Sequence, residues 1–185
     1  AGRPPGSVRL VAVTKTWPAA VVREIVDAGH LVLGENRVQE LLSKVPELPP
    51  EVEWHLIGHL QQNKIRRALP HCAVIHSVDS IGLAAQISRI AGELGRTTCV
   101  LLQVNVANDD AKYGFPVEVL KARFEEVLSL PHLHLGGLMT VPPYDDDPEK
   151  VRPHFRKLRQ LRDELATVYN CALPELSMGM SHDFV

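Results

Sequence analysis

Short apolar runs typical of buried strands alternate along this chain with longer runs of helical periodicity. Seven runs have strand character, and the six segments between them carry apolar residues at helical spacing. The strand-like runs lie at 8–13, 31–34, 53–58, 73–78, 97–106, 133–141 and 176–180. This near-regular alternation predicts an α/β protein with a parallel sheet.

Two parallel architectures share this alternation, the doubly wound sheet and the (β/α)8 barrel. No GxGxxG follows the first strand and no GxxxxGK[ST] occurs, which disfavours a nucleotide-binding doubly wound sheet. A (β/α)8 barrel has about 200 residues or more, whereas this chain has 185. We therefore predict one TIM-type barrel domain over residues 1–185 that lacks its first helix and eighth strand, and we expect both ends of the sequence to be edges of a longer protein.

The composition excludes several classes of partner. Hydrophobic residues make up 45% and charged residues 23% of the chain, and the net charge of −2 gives no electrostatic signal for nucleic acid or an anionic membrane. The three cysteines are widely spaced, which favours thiols in a reducing compartment. With no signal peptide and no transmembrane run in the sequence, we expect a cytoplasmic protein.

Lys15 follows the first strand-like run at its carboxyl end. Because side chains alternate along a strand, Val11, Val13 and Lys15 are predicted to share one face. If that face looks into a barrel, Lys15 stands at the carboxyl mouth, where such barrels place their chemistry. Apolar walls there would lower the pKa of the ammonium, and the neutral amine can form a Schiff base with a carbonyl. A solvated lysine at a strand end is the alternative.

Polar side chains follow the other strands as well. They are Glu35, Asn36, His59, Gln61, Ser77, Asp79, Asn105, Thr140, Ser177 and Ser181. Because the carboxyl ends of parallel strands lie at one rim of a barrel, this set predicts a binding site there.

The stretch 177–181 has features suited to a phosphate group. Gly179 lets a ligand approach the backbone, and Ser177 and Ser181 supply hydroxyls. Barrel phosphate sites are frequently built by the loops after strands seven and eight, and strand eight neighbours strand one. A phosphorylated aldehyde could thus bond to Lys15 while its phosphate contacts this stretch. The alternative is an ordinary strand end.

No metal or nucleic-acid site is predicted. The His55/His59 and His132/His134 pairs have same-face spacing, but no clustered third ligand accompanies them. The basic runs on the predicted helices are interpreted as solvated faces, and the acidic run at 145–147 lacks the pattern of a calcium loop.

Several short motifs lie in order along nearly the whole chain, among them VAVTK (11–15), GENRVQE (34–40), WHLIGHLQ (54–61), KYGF (112–115), GLMT (137–140) and LSMGMSHD (176–183). These motifs resemble signature stretches of the pyridoxal phosphate homeostasis protein family. The resemblance implies a pyridoxal-phosphate-dependent fold type III barrel, similar to those of alanine racemase and eukaryotic ornithine decarboxylase.

The resemblance also implies a cofactor and a role in vitamin B6 homeostasis. Pyridoxal 5′-phosphate would form a Schiff base with Lys15, Asn36 would line the pocket and Ser177 would contact the phosphate. Together with the rim residues, the predicted cofactor contacts are Lys15, Asn36, His59, Ser77, Thr140, Ser177, Gly179 and Ser181. The family has further segments, a helix before strand one and a phosphate loop and arginine after the position of Asp183, that this sequence does not contain.

Three functions are compatible with a lysine at this position. The first is a monomeric carrier that binds the cofactor, buffers it or hands it to apoenzymes. The second is an amino-acid racemase or decarboxylase-like enzyme, whose relatives use a second domain that 185 residues leave no room for. The third is a Schiff-base aldolase without cofactor, which would carry its lysine on a later strand. We predict the carrier.

Overall fold

The computed structural model describes residues 4, 6–109 and 111–180, and these contain seven β-strands and six α-helices. The strands are β1 (Ala12–Val13), β2 (Val32–Glu35), β3 (Glu53–Leu56), β4 (Cys72–Val78), β5 (Thr98–Gln103), β6 (Leu133–Met139) and β7 (Glu175–Ser177). The helices are α1 (Ala19–Asp27), α2 (Val38–Lys44), α3 (Ile65–Ala68), α4 (Ile81–Glu93), α5 (Val117–Leu128) and α6 (Pro148–Val168). The predicted alternation of strands and helices is confirmed.

All seven strands are parallel and lie in one sheet in the order β1-β2-β3-β4-β5-β6-β7. Neighbours in the sheet are therefore also neighbours in the chain. A doubly wound sheet reverses its strand order at a switch point, and this sheet has no reversal among its seven strands. The order is that of a (β/α)8 barrel.

A contact between distant strands shows that the sheet curves. His76 Nδ1 on β4 lies 2.8 Å from Ser177 Oγ on β7. Strands in a sheet are about 4.8 Å apart, so a flat sheet would separate β4 from β7 by about 14 Å. The sheet must curl to bring the two side chains together, and the fold is the predicted barrel in partial form.

The main core lies between the convex face of the sheet and the helices. Leu33, Leu56, Ile75 and Leu102 are fully buried there, and helix side chains such as Ile87 of α4 pack with them. This is the expected result for strands covered by crossover helices.

The first strand is shorter than its apolar run predicts. Only Ala12 and Val13 pair with β2, and Val8, Leu10 and Val13 are exposed. The reason is that β1 is an edge strand in the described sheet, hydrogen-bonded on one side only. Val13 lies on the face of β1 that the sequence predicts, but no described strand covers that face.

A buried ion pair holds the carboxyl end of β1. Lys44, the last residue of α2, donates hydrogen bonds to Glu35 at the end of β2 and, at 2.7 Å, to the carbonyl of Thr14. Thr14 Oγ1 donates to the same Glu35 oxygen at 2.7 Å. The side chains of Lys44 and Glu35 are 6% and 0% exposed. Helix α2 and strand β2 thus fix the residue that precedes Lys15.

A close backbone approach ties the ends of β2 and β3 together. Gly58 follows β3, and a Cβ placed on it would lie 2.3 Å from the carbonyl oxygen of Asn36. Real Cβ atoms do not approach so closely, so the two segments require glycine at this position. Ser77 Oγ of β4 donates to the Gly58 carbonyl at 2.6 Å.

Lys44→Met should lower the free energy of unfolding by about 3–5 kcal/mol, because it leaves the Glu35 carboxylate buried without its cation. Chemical denaturation measures the change. Lys121→Met, which removes an exposed ion pair with Glu164, is the control and should have little effect. Adding Glu35→Gln to Lys44→Met should recover much of the loss, and a double variant less stable than the single one would contradict this account.

Gly58→Ala should cost about 1–3 kcal/mol of unfolding free energy, because its new Cβ forces the backbone at Asn36 to move. Gly82→Ala in α4 is the matched control, since a Cβ there meets nothing within 4 Å. In a helix that change should be neutral or stabilising by up to about 1 kcal/mol. Equal melting temperatures for the two variants would contradict the close approach.

Candidate functional site

Lys15 lies in a tight turn directly after β1. The Trp17 N–H donates to the Thr14 carbonyl at 3.2 Å, and Thr16 has a φ of 68°, a conformation that is strained for a β-branched residue. The Thr16 N–H donates to Glu40 Oε2 of α2 at 2.9 Å. The turn is therefore anchored to α2 on both sides of Lys15, by Lys44 and by Glu40.

The surroundings of Lys15 differ from the prediction in one respect. Its position at the carboxyl end of β1 is the predicted one, but the residue is exposed. The apolar walls expected around its amine are not formed by the described residues, because β1 is the edge of the described sheet.

His59 and Tyr113 form a stacked pair above the ends of β3 and β5. Their ring centroids are 4.4 Å apart, and the ring planes are inclined by 18°. His59 Nδ1 lies 3.1 Å from Asp79 Oδ2, and because a carboxylate only accepts, this nitrogen carries the proton. The sequence had indicated His59, but not the tyrosine 54 positions later that orients it.

An open groove of about 500 Å³ adjoins the turn that carries Lys15. It is lined by Asn36 and Glu40 on one side and by His59, Gln61 and Lys64 on the other. Glu40 also binds the Thr16 N–H, so the groove and the turn share a wall. Predicted residues Lys15, Asn36 and His59 thus lie in one region of the rim.

Ser77 and Thr140 use their hydroxyls within the protein. Both residues are buried, and Ser77 Oγ donates to the Gly58 carbonyl while Thr140 Oγ1 donates to the Val104 carbonyl at 2.8 Å. The Thr140 N–H also donates to the Ser177 carbonyl at 3.1 Å. Their observed role is to hold neighbouring strand ends in register.

The predicted phosphate stretch is described only in part. Gly179 is exposed with a φ of +97°, which suits glycine, and Ser181 lies outside the described residues. Ser177 is half-buried, and its hydroxyl contacts His76.

Buried histidines link Ser177 to the opposite end of the sheet. His76 Nε2 lies 2.7 Å from His55 Nδ1, and His55 Nε2 lies 3.0 Å from Glu53 Oε1. Glu53 also accepts a hydrogen bond from Arg9. In the sequence, His55 stands out only as a rejected metal-ligand candidate, and His76 does not stand out at all.

Burial and neighbouring groups set the protonation of these residues. Burial lowers the pKa of His76 to about 3, with a further contribution from His55. Burial also lowers the pKa of His55, although Glu53 opposes this. Burial raises the pKa of Glu53, but hydrogen bonds from His55 and Arg9 outweigh it and hold that pKa below its usual value. In neutral solution, Glu53 is therefore ionised and both rings are neutral.

A metal-ligand cluster and a membrane-spanning helix are both absent from the part of the chain that the structure describes. Among residues 4, 6–109 and 111–180, no three His, Cys, Asp or Glu side chains cluster as they would around a metal ion. Within the same residues, none of the helices has the length and apolarity needed to cross a membrane.

Comparisons with known proteins agree with the resemblance seen in the sequence. The family described as "Alanine racemase, N-terminal domain" matches residues 3–185. The pyridoxal phosphate homeostasis protein of Aquifex aeolicus is 49% identical over 185 residues, which span all of this chain and 81% of that protein. The human protein of the same name is 38% identical over 189 residues, covering 95% of this chain and 69% of its own length.

A solved structure with the same fold is PipY of Synechococcus elongatus PCC7942, determined with PLP bound. Its TM-score is 0.92 at 42% sequence identity, covering 99% of this chain and 86% of that one. These matches exceed what fold similarity alone would give. The chain belongs to the pyridoxal phosphate homeostasis protein family and has the fold of the alanine racemase N-terminal domain.

Proposed function

We propose that this protein binds pyridoxal 5′-phosphate covalently through Lys15 and serves in vitamin B6 homeostasis. The observation that carries the proposal is the anchored turn, which presents Lys15 at the carboxyl end of β1 beside an open groove. A related protein of 42% identity has been solved with PLP bound, which supports the choice of ligand.

The described residues fit the three parts of this cofactor. An exposed amine at Lys15 suits its aldehyde, and the His59–Tyr113 stack and the groove beside it offer surfaces for a flat ring. Ser177 and the exposed Gly179 suit a phosphate group. When bound, the cofactor supplies a reactive aldehyde and an electron-withdrawing pyridine ring.

The two lysines near β1 have different roles. Lys44 is committed to Glu35 and to the Thr14 carbonyl in the interior, so its amine orients the turn. Lys15 is exposed and free to meet a ligand from the rim. The buried pair thus positions a neighbouring amine without competing for the aldehyde.

Binding and hand-over, rather than turnover, follow from what the site offers. Racemases and decarboxylases need a second proton donor or acceptor on the far side of the substrate, and their relatives recruit it from another domain. The described rim at β1 supplies one amine on an open edge. We therefore include in the proposal a monomeric, cytoplasmic carrier that delivers the cofactor to apoenzymes.

Lys15→Ala should abolish the visible absorbance band of the protein mixed with pyridoxal phosphate, because the amine that binds the aldehyde is gone. Borohydride reduction followed by peptide mass spectrometry identifies the modified lysine. Lys64→Ala is the matched control, since Lys64 is the lysine among the residues that line the groove, and it should retain the band. Label on Lys64 or on Lys44 in the native protein would contradict the assignment.

The loaded protein should transfer its cofactor to an apoenzyme and should not racemise or decarboxylate amino acids faster than free pyridoxal phosphate does. The physical reason is that a carrier only holds and releases the cofactor, whereas racemisation needs a second proton donor or acceptor on the far side of the substrate. Chiral chromatography of alanine and recovery of apoenzyme activity measure the two quantities. Racemisation that Lys15→Ala abolishes would establish the enzyme alternative instead.

A further inference from the structure

A line of four side chains runs inside the curved sheet from one end to the other. It begins at Glu53, the first residue of β3, passes through His55 and His76, and ends at Ser177, the last residue of β7. The successive distances are 3.0, 2.7 and 2.8 Å, and each ring is only 4% exposed. We call these four residues the interior wire.

The chemistry of Glu53 fixes the direction of every hydrogen bond in the interior wire. An ionised carboxylate can only accept, so His55 Nε2 carries a proton and donates it to Glu53. In a neutral ring the other nitrogen, His55 Nδ1, must then accept, and its partner is His76 Nε2. His76 Nε2 therefore donates, which leaves His76 Nδ1 as an acceptor.

The same step decides the orientation of the Ser177 hydroxyl. Because His76 Nδ1 accepts, the Ser177 O–H must donate to it. The hydroxyl proton of Ser177 is thus directed into the sheet. Toward the rim, its oxygen can only accept hydrogen bonds. Rotating the hydroxyl outward would leave a buried ring nitrogen without a partner, which is unfavourable.

We propose that the interior wire makes Ser177 a hydrogen-bond acceptor toward the rim, so that a phosphate ester binds there as the protonated monoanion. This inference rests on the proposed function for the position of the phosphate. A dianion presents only lone pairs and would meet the lone pairs of Ser177. A monoanion can donate its P–O–H to Ser177 Oγ, while Ser177 keeps its own bond to His76.

The proton balance of this step is simple. The second pKa of a phosphate monoester lies near ~6, so above neutrality the free ligand is mainly the dianion. Binding then takes up one proton from solvent, and the proton stays on the phosphate oxygen that faces Ser177. No proton moves within the interior wire, and Glu53 stays ionised.

Among the described residues, other charged or titratable groups lie near the interior wire. They are Arg9 before β1, Cys99 on β5, His134 as the register partner of Cys99 on β6, and Glu175 on β7. Of these four, Arg9 alone makes a hydrogen bond to a member of the wire in the described structure, and it donates to Glu53. Arg9 therefore reinforces the ionised carboxylate, and Glu175 acts on His55 through its charge alone.

Glu53→Gln tests the proposal because it keeps the shape of the side chain and removes the constraint on direction. Arg9 only donates and contacts Oε2, so it holds the oxygen of a glutamine amide there and leaves the NH₂ group facing His55 Nε2. That NH₂ group donates to His55 Nε2, which reverses each bond and turns the Ser177 hydroxyl toward the rim. The variant should bind the dianion directly. Glu175→Gln removes a nearby charge that does not touch the wire, so it is the matched control.

The measurement is calorimetry with pyridoxine 5′-phosphate, which lacks the aldehyde and cannot react with Lys15. Titrations at pH 7.5 in two buffers with different ionisation heats give the number of protons taken up. The ligand's own ionisation is common to all variants and cancels in their differences. We expect native protein and Glu175→Gln to take up close to one proton more than Glu53→Gln and Ser177→Ala.

Affinity should follow the same pattern. Between pH 7 and 8.5 the dissociation constant of the native protein should rise about tenfold per pH unit relative to that of Glu53→Gln. Equal proton uptake by native protein and Glu53→Gln would overturn the proposal, because the hydroxyl would then reorient at no cost. Failure of native protein to bind this ligand would overturn the phosphate site at Ser177, whereas failure of pyridoxal phosphate to label Lys15 would remove the proposed function.

Nitrogen NMR of the unliganded protein tests the interior wire independently of any ligand. Both His55 and His76 should be neutral with the proton on Nε2, and Glu53→Gln should move that proton to Nδ1 in both rings. These signals also report that the variant is folded. A proton on His76 Nδ1 in the native protein would overturn the proposal even if the cofactor binds.

Discussion

The buried ion pair between Glu35 and Lys44 is the interaction on which the position of Lys15 depends. Strand β1 has two residues and pairs on one side, so its own ladder is too short to fix the turn that follows. The ion pair connects three elements, β1, β2 and α2, at a single point in the interior. Desolvating two charges is costly, and the second Glu35 oxygen has no partner among the described atoms. The ion pair therefore contributes mainly to geometry, because only one arrangement of β1, β2 and α2 allows it to form.

The two faces of the sheet have different roles in this fold. The convex face is apolar and packs under the helices, which supplies most of the hydrophobic stabilisation. The concave face carries polar side chains, and the hydrogen bond between His76 and Ser177 needs the curvature of the sheet to form at all. Stability and the candidate chemistry thus reside on opposite sides of the same strands. Substitutions that preserve one face can leave the other unchanged.

Local patterns in the sequence predict the architecture well and the site only in part. The strand and helix alternation, the parallel order and the place of Lys15 follow from periodicity of the kind that single segments display. Lys44 looks like an ordinary helix-ending lysine, and only packing of α2 against β2 buries it. The His76–Ser177 contact joins residues 101 positions apart, so no local pattern reports it. The exposure of Val13 likewise depends on which strand covers β1, and a single strand's periodicity carries no information on that.

The position of Glu53 explains why two imidazole rings stand between this carboxylate and Ser177, although a carboxylate in direct contact could also orient the Ser177 hydroxyl. A carboxylate beside Ser177 would also keep the hydroxyl proton turned inward, but it would place a negative charge against the phosphate, and the repulsion between close charges is large in a protein interior. Two neutral imidazoles transmit the direction of the hydrogen bond while keeping the charge at the amino end of β3, where Arg9 partly compensates it. The direction of hydrogen-bond donation is thus transmitted across the sheet, whereas the negative charge stays at Glu53. A side chain at one end of the barrel can in this way define what its opposite end accepts, with no change in backbone structure between them.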